Sequence, residues 1–148
     1  MGSSSVWRLG NTVDQIYLFG LSSRRAEWLA SRQAVVAENI ANVNDTAPTD
    51  GTVFHTKYLQ AQEISGSDGI GSGVEVASMT QSRGDSVLVQ DPTNPMADAR
   101  GYVRHTDVDL AAQMGDLIMA QRAFQANANA VDRAKDAYDA ALNIGKGV

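Results

Sequence analysis

Between residues 13 and 43 the apolar positions Leu18, Leu21, Trp28, Leu29, Val36, Ile40 and Val43 recur at helical spacing. That stripe predicts an amphipathic helix over 14–43, with Asp14 as N-cap or first-turn acid. Arg24, Glu27 and Glu38 fall off the stripe. Arg25 and Arg32 lie one heptad apart at its edge, either snorkelling into solvent or pairing with a neighbour's carboxylate. Gly20 costs about 1 kcal/mol relative to alanine and marks a bend or a close helix contact. A clearer stripe runs through Leu110, Met114, Leu117, Gln121, Phe124, Ala128, Val131, Lys135, Tyr138 and Leu142. Its steps alternate four and three without a break, the heptad seam of a coiled coil. A helix over 106–145 follows, started by Thr106 to Asp109 and stopped near Asn143 and Gly145. At about 1.5 Å per residue the two rods are roughly 45 and 55 Å long.

The stretch 44–105 holds most of the turn formers. Thr46 to Gly51 reads as a loop, and Gly66 to Gly73 as a flexible turn or linker. Val53 to Ile64 reads as extended and then irregular. Val74 to Ala77, Ser86 to Val89 and Gly101 to Arg104 have the β-branched character of short strands. Asp91-Pro92-Thr93-Asn94-Pro95 closes the second of these. The fold class is therefore mainly α with a small β insert, the long N- and C-terminal helices packing as a coiled-coil pair with short strands between them. Residues 1–13 are expected to be a flexible leader.

Composition narrows the functions. Lys and Arg number 12 against 17 Asp and Glu, giving a net charge of −5, and the only adjacent basic pair is Arg24-Arg25, so nucleic acid is a poor partner. Cysteine is absent, which removes disulfides, thiolate metal sites and cysteine nucleophiles. No apolar run approaches the roughly 18 residues of a membrane helix, so no membrane insertion is expected. Residues 1–8 are Gly/Ser-rich and lack the apolar core of a cleaved signal peptide, so any export is expected to leave the N-terminus uncut.

Candidate chemistry is sparse. His105, Asp107 and Asp109 alternate and could face one metal on a strand, but strand-end and helix-cap roles explain them better, and His55 is the only other histidine. The glycine stretch lacks the Lys-Ser/Thr ending of a phosphate loop. Gly71-Ser72-Gly73 is no nucleophile elbow. Trp28 and Phe124 fit a core or an interface better than a ligand stack. No catalytic residue, cofactor, metal or small-molecule substrate is expected, and the chain is not expected to be an enzyme.

Alanine recurs off the second seam, at 111, 112, 120, 123, 126, 130, 134, 137 and 141. These positions serve either as inexpensive solvent-facing helix formers or as small surfaces for close helix approach. A pair of such helices buries only one stripe each, and the β insert is too small to cover the rest. Association with further chains would complete the burial, and a head-to-tail contact would give a filament.

Three motifs then fall in order. Asn39-Ile40-Ala41-Asn42 at the end of the first helix resembles the NIAN signature of bacterial flagellar axial proteins. Asp91 to Val103 resembles the DPxxPxADxxGYV stretch of the proximal rod subunits in that family. Asp107-Val108-Asp109 and Gln121 to Asn127 resemble the start and middle of their C-terminal helix. The likeness covers nearly the whole chain beyond about Gln15, although Asp45 to Asp50 intervene where the family more usually has a Thr-x-Gly turn.

The resemblance implies a structural subunit of the basal-body rod, the driveshaft crossing the periplasm. Both terminal helices would line an inner tube, with 44–105 outside it. The partners implied are other copies of the chain, sister rod proteins and the flagellar type III export apparatus. Subunit contacts are expected at Leu21, Trp28, Val36, Asn39, Ile40 and Asn42, and at Leu117, Gln121, Phe124, Asn127, Val131 and Tyr138; Asn39 and Asn42 could instead cap the helix locally. Phe54 to Tyr58 resembles the Phe-x-x-x-hydrophobic gate motif of rod and hook export substrates. The alternatives are a sister rod subunit, a soluble coiled-coil adaptor or chaperone, and a metal-dependent enzyme around His105.

Overall fold

The structure, a computed structural model, describes residues 4–65, 71–84 and 86–146, and side chains over 19–65, 72–84 and 86–145. Two long helices, α1 (Ser4–Ala41) and α2 (Leu110–Lys146), enclose five strands. These are β1 (Thr46–Ala47), β2 (Lys57–Ser65), β3 (Gly71–Gln81), β4 (Val87–Gln90) and β5 (Tyr102–His105). They form two antiparallel units, a three-stranded sheet in the order β1-β5-β4 and a β2-β3 hairpin. Mainly helical architecture with a small β insert is what the patterning implied.

The boundaries differ from expectation where local chemistry overrides the stripe. Residues 4–13, expected within a flexible leader, are helical, and α1 starts at Ser4. Once nucleated, a helix gains one hydrogen bond for each residue it fixes, and Gly10 alone costs only about 1 kcal/mol. Residues 1–3 and the side chain of Leu18 lie outside the described set. At the other end Asn42 closes α1, its N–H and Nδ2 both donating to the Glu38 carbonyl at 3.2 and 2.8 Å. The second helix starts at Leu110 rather than near Thr106, because the Thr106 hydroxyl is engaged elsewhere, donating to the Phe54 carbonyl at 2.8 Å. Asp109 is the N-cap: its Oδ1 accepts from the Ala112 N–H at 3.1 Å.

The stretch Val53 to Ile64, expected to lose regularity, becomes an unbroken strand from Lys57 with register shifts after Gln60 and Glu63. Of the expected glycine linker, 66–70 lie outside the described residues, and Gly71 to Gly73 open β3. Thr46 and Ala47, expected in a loop, pair with His105 and Arg104.

The core is small and sits where the C-terminal half of α1 meets everything else. Leu29, Val35 and Val36 of α1, Ala47, Val53, Val103 and Ala120 are its buried apolar residues. The helices run antiparallel. Asn127 Nδ2 donates to the Ser22 carbonyl at 3.0 Å, Arg32 pairs with Asp116 at 2.8 Å, and Asn39 meets Gln113 at 2.9 Å.

The face that α2 turns to α1 is not its apolar seam. Ala120 and Gln113 are 1% and 4% exposed, whereas Leu110, Met114 and Phe124 are 46%, 45% and 43% exposed. At 3.6 residues per turn the two faces are offset by about a quarter turn. Small and amide side chains win the contact because they let the backbones approach and make specific hydrogen bonds across the gap. Leu117, Val131 and Tyr138, on the near flank of the stripe, are partly covered; Gln121 and Ala128 are exposed. Both roles considered for the alanines occur: Ala120 is buried at the helix contact and Ala123 is half-buried, while the other seven face solvent.

Candidate subunit interface

A polar joint fixes the β region on the helix pair. Asn39 is 1% exposed. Its Oδ1 accepts from the Lys57 N–H at 2.9 Å, and its Nδ2 donates to the Lys57 carbonyl and to Gln113 Oε1, each at 2.9 Å. Next to it, Asp107 Oδ1 accepts from both the N–H and the hydroxyl of buried Thr56 at 3.1 Å. Asp45 Oδ2 accepts from the Phe54 N–H at 2.7 Å, and the Asp45 carbonyl accepts from the Thr106 N–H at 3.2 Å. Apart from the Asp45–Phe54 bond, these bonds join segments that are distant in sequence. Gln113 and the Lys57 backbone were not among the expected site residues; the one available signal for Gln113 was an amide directly after the Leu110-Ala111-Ala112 opening of the helix.

The Asp91 to Val103 stretch holds itself. Asp91 accepts from the Thr93 hydroxyl at 2.8 Å, the Thr93 N–H at 3.3 Å and Asn94 Nδ2 at 3.3 Å. Asp98 Oδ1 accepts from the N–H groups of Arg100 and Tyr102 at 2.8 and 3.0 Å. Gly101 has φ +80°, and a Cβ there would stand 3.2 Å from Pro92 Cβ. The two prolines, three acids and amides, and one glycine therefore serve a compact turn that delivers β5. Arg104 then ties it back, with Nη2 donating to the Thr49 carbonyl and Nη1 to Ser86 Oγ, both at 2.8 Å.

Three carboxyls are held below the ordinary value of 3.8. The Thr93 hydroxyl is the main cause at Asp91 and the Tyr102 N–H at Asp98. Burial pushes Asp107 up, but hydrogen bonds from Ser82 and Thr56 together with nearby His55 outweigh it. His105, Asp107 and Asp109 separate into a strand end, the Thr56 contact and the α2 cap. Among the described residues no group of three or more His, Cys, Asp or Glu side chains gathers as a metal site would require. Trp28 and Phe124 line different grooves, and Arg32 lies over the Trp28 ring at 5.7 Å. Arg32 thus pairs within the chain, with Asp116, while Arg25 is exposed.

Part of the surface that the fold leaves uncovered is apolar. Along α2, Leu110, Met114, Ile118, Met119 and Phe124 are between 43% and 57% exposed; helical spacing sets Leu110, Met114 and Phe124 in a row on one face and turns Ile118 and Met119 away from it. Beside this row an open groove of about 600 Å³ runs between the helices, lined by Phe19, Ala26, Phe124, Ala128 and Val131 with Asp132 at its edge. Tyr58, Val76 and Met79 are exposed on the hairpin, and Val87 and Leu88 on β4. No helix among the described residues is long and apolar enough to cross a membrane.

The twelve expected contact positions divide accordingly. Val36 and Asn39 are buried inside the chain, and Asn42 serves the end of α1. Leu21, Trp28, Ile40, Leu117, Val131 and Tyr138 are half-covered, Asn127 bridges to α1, and Gln121 and Phe124 are exposed. Phe54 is half-buried with the Lys57 ammonium 5.5 Å from its ring, and Tyr58 is 50% exposed. Met114 and Ile118 supply much of the bare surface; Met114 lay on the heptad stripe, and Ile118 did not.

Residues 99–144 match the family model described as Flagellar basal body rod FlgEFG protein C-terminal. The chain is 30% identical to the flagellar basal-body rod protein FlgC of Escherichia coli O6:H1 over 129 residues, covering 87% of this chain and 96% of that protein. It is 34% identical to FlgC of Bacillus subtilis, covering 78% and 87% of the two chains. With FlgC of Borreliella burgdorferi the identity is 30%, over 86% and 92%. Matches of that length do not favour a sister rod subunit or a coiled-coil adaptor. The chain belongs to the FlgC family of flagellar basal-body rod proteins.

Proposed function

We propose that this protein is a non-enzymatic structural subunit of the proximal rod, assembling with its own copies and with sister rod proteins into the helical driveshaft that transmits motor torque. The observation that carries the reading is the bare apolar row Leu110, Met114 and Phe124 on the heptad seam, beside the open groove. An exposed row of this kind on a folded chain marks a surface for other chains. In the rod, neighbouring helices pack against it, so the heptad seam becomes a contact between subunits rather than within one. Leu21, Trp28, Ile40, Leu117, Gln121, Phe124, Val131 and Tyr138 face those neighbours. Val36, Asn39, Asn42 and Asn127 support the same surface from inside.

The test is Phe124→Asp, expressed in cells lacking the native copy. It is expected to be made at normal levels but absent from purified basal bodies, and the cells to be non-motile. Normal motility would overturn the reading.

The working location is the periplasmic part of the basal body, reached through the flagellar type III apparatus. Phe54 to Tyr58 supplies the export signal. The Phe54 N–H and carbonyl are both engaged in the folded chain, so the segment is read while the chain is extended. Phe54→Ala is expected to lower the amount exported several-fold, measured by immunoblot of periplasmic and culture fractions from a strain arrested before rod completion. Unchanged export would remove this assignment and leave the structural role standing.

A further inference from the structure

Asn39 binds three groups on two other elements from a single buried carboxamide. Its oxygen and one of its N–H groups pair with the N–H and carbonyl of one residue, Lys57, much as a neighbouring strand would. Its Nδ2 also reaches Gln113 Oε1 across the helix crossing. The Lys57 backbone fixes which end of the amide is oxygen, since an N–H must meet an acceptor and a carbonyl a donor. In the seated chain the amide is 1% exposed at the helix crossing; without the root of β2 it keeps only Gln113 as a partner within the chain. A buried amide without partners disfavours whatever arrangement buries it.

We propose that Asn39 makes close pairing of α1 with α2 conditional on docking of the β2 root, so that the paired helices form only in a chain whose hairpin is already seated. The device lies within one chain and holds whatever the paired helices go on to bind. It couples a segment between the helices to the surface that both helices create. Gln113, itself 4% exposed, carries the same condition into α2. Thr56, 2% exposed and bound to Asp107, seats the strand from its other side.

The test reads hydrogen–deuterium exchange of the full-length chain over 113–127 of α2 and over 57–59 of β2. Lys57→Pro removes the N–H that Asn39 accepts, and Lys57→Ala controls for the lost ammonium, which pairs with Glu38. Lys57→Pro is expected to speed exchange over 113–127 by about tenfold relative to both wild type and Lys57→Ala. In Asn39→Leu, which has no amide to satisfy, adding Lys57→Pro is expected to change exchange there by less than about threefold. Equal acceleration in both backgrounds, or none with Asn39 present, overturns the proposal. Should Lys57→Pro abolish protection everywhere, Thr56→Val decides. It removes the hydroxyl that seats the strand on Asp107 while leaving Asn39 and Gln113 unchanged, and is expected to speed exchange in both segments. Acceleration confined to 57–59 overturns the coupling.

Discussion

Gly101 is the residue whose identity the backbone most plainly dictates. Its φ of +80° disfavours any side chain, and Pro92 leaves a Cβ only 3.2 Å. Gly101→Ala is expected to lower the stability of the chain by about 1–2 kcal/mol, measured by thermal or denaturant unfolding. Asp107 gives a pH dependence of definite sign. Its carboxyl titrates lower when folded than when unfolded, so its stabilisation is complete above the ordinary value of 3.8 and is lost as pH falls through the folded value. Asp91 and Asp98 act in the same direction. Asp107→Asn can still accept at Oδ1 from Thr56 but no longer titrates. Its unfolding midpoint is expected to fall less steeply than that of the wild type between about pH 5 and 3.

At the scale of elements, the contact between α1 and α2 turns on Ala120. Leucine there would have to enter a site now 1% exposed, and Ala120→Leu is expected to destabilise the helix pair by about 1–3 kcal/mol. The Arg32–Asp116 pair, with both side chains about one-third exposed, contributes little by comparison. Here the limits of the sequence are plainest. Helical periodicity located both rods, and the β-branched runs at 74–77 and 86–89 located strands. The periodicity did not say which stripe meets the partner helix, because the largest apolar residues and the closest helix approach belong to different faces. Apolar size drives burial somewhere, and nothing in one chain's pattern states whether that burial is internal. The polar joint was hidden for a related reason. Asn39, Thr56, Asp107 and Gln113 span 74 positions, and their meeting depends on the antiparallel path and on the β2 register. Asn39 stood out through motif resemblance, yet its partners did not. The readings of 91–95 as a turn closing a strand and of 101–104 as the next strand were local, and they held for that reason.

For the whole molecule, a small core is joined to an apolar surface that the chain does not cover by itself. Phe124 stands 43% exposed at the meeting of the bare row and the groove. Replacing it therefore removes surface hydrophobicity without opening the interior. Phe124→Asp is expected to lower the unfolding free energy of the isolated chain by no more than about 1.5 kcal/mol, while abolishing incorporation. That separation distinguishes an assembly residue from a folding residue, and unfolding and basal-body content measured on one preparation would read both. A loss of several kcal/mol would mean that the ring supports the fold.

The antiparallel course of the two helices has a mechanical consequence. The start of α1 and the finish of α2 leave the crossing in the same direction, away from the strands. A stretch applied between those two ends would unzip the pair turn by turn, breaking one crossing contact at a time. A sideways load spread along the rods would instead shear Asn127, Arg32 and Asn39 from their partners together. The arrangement is weak under tension at its tips and strong under shear along its length.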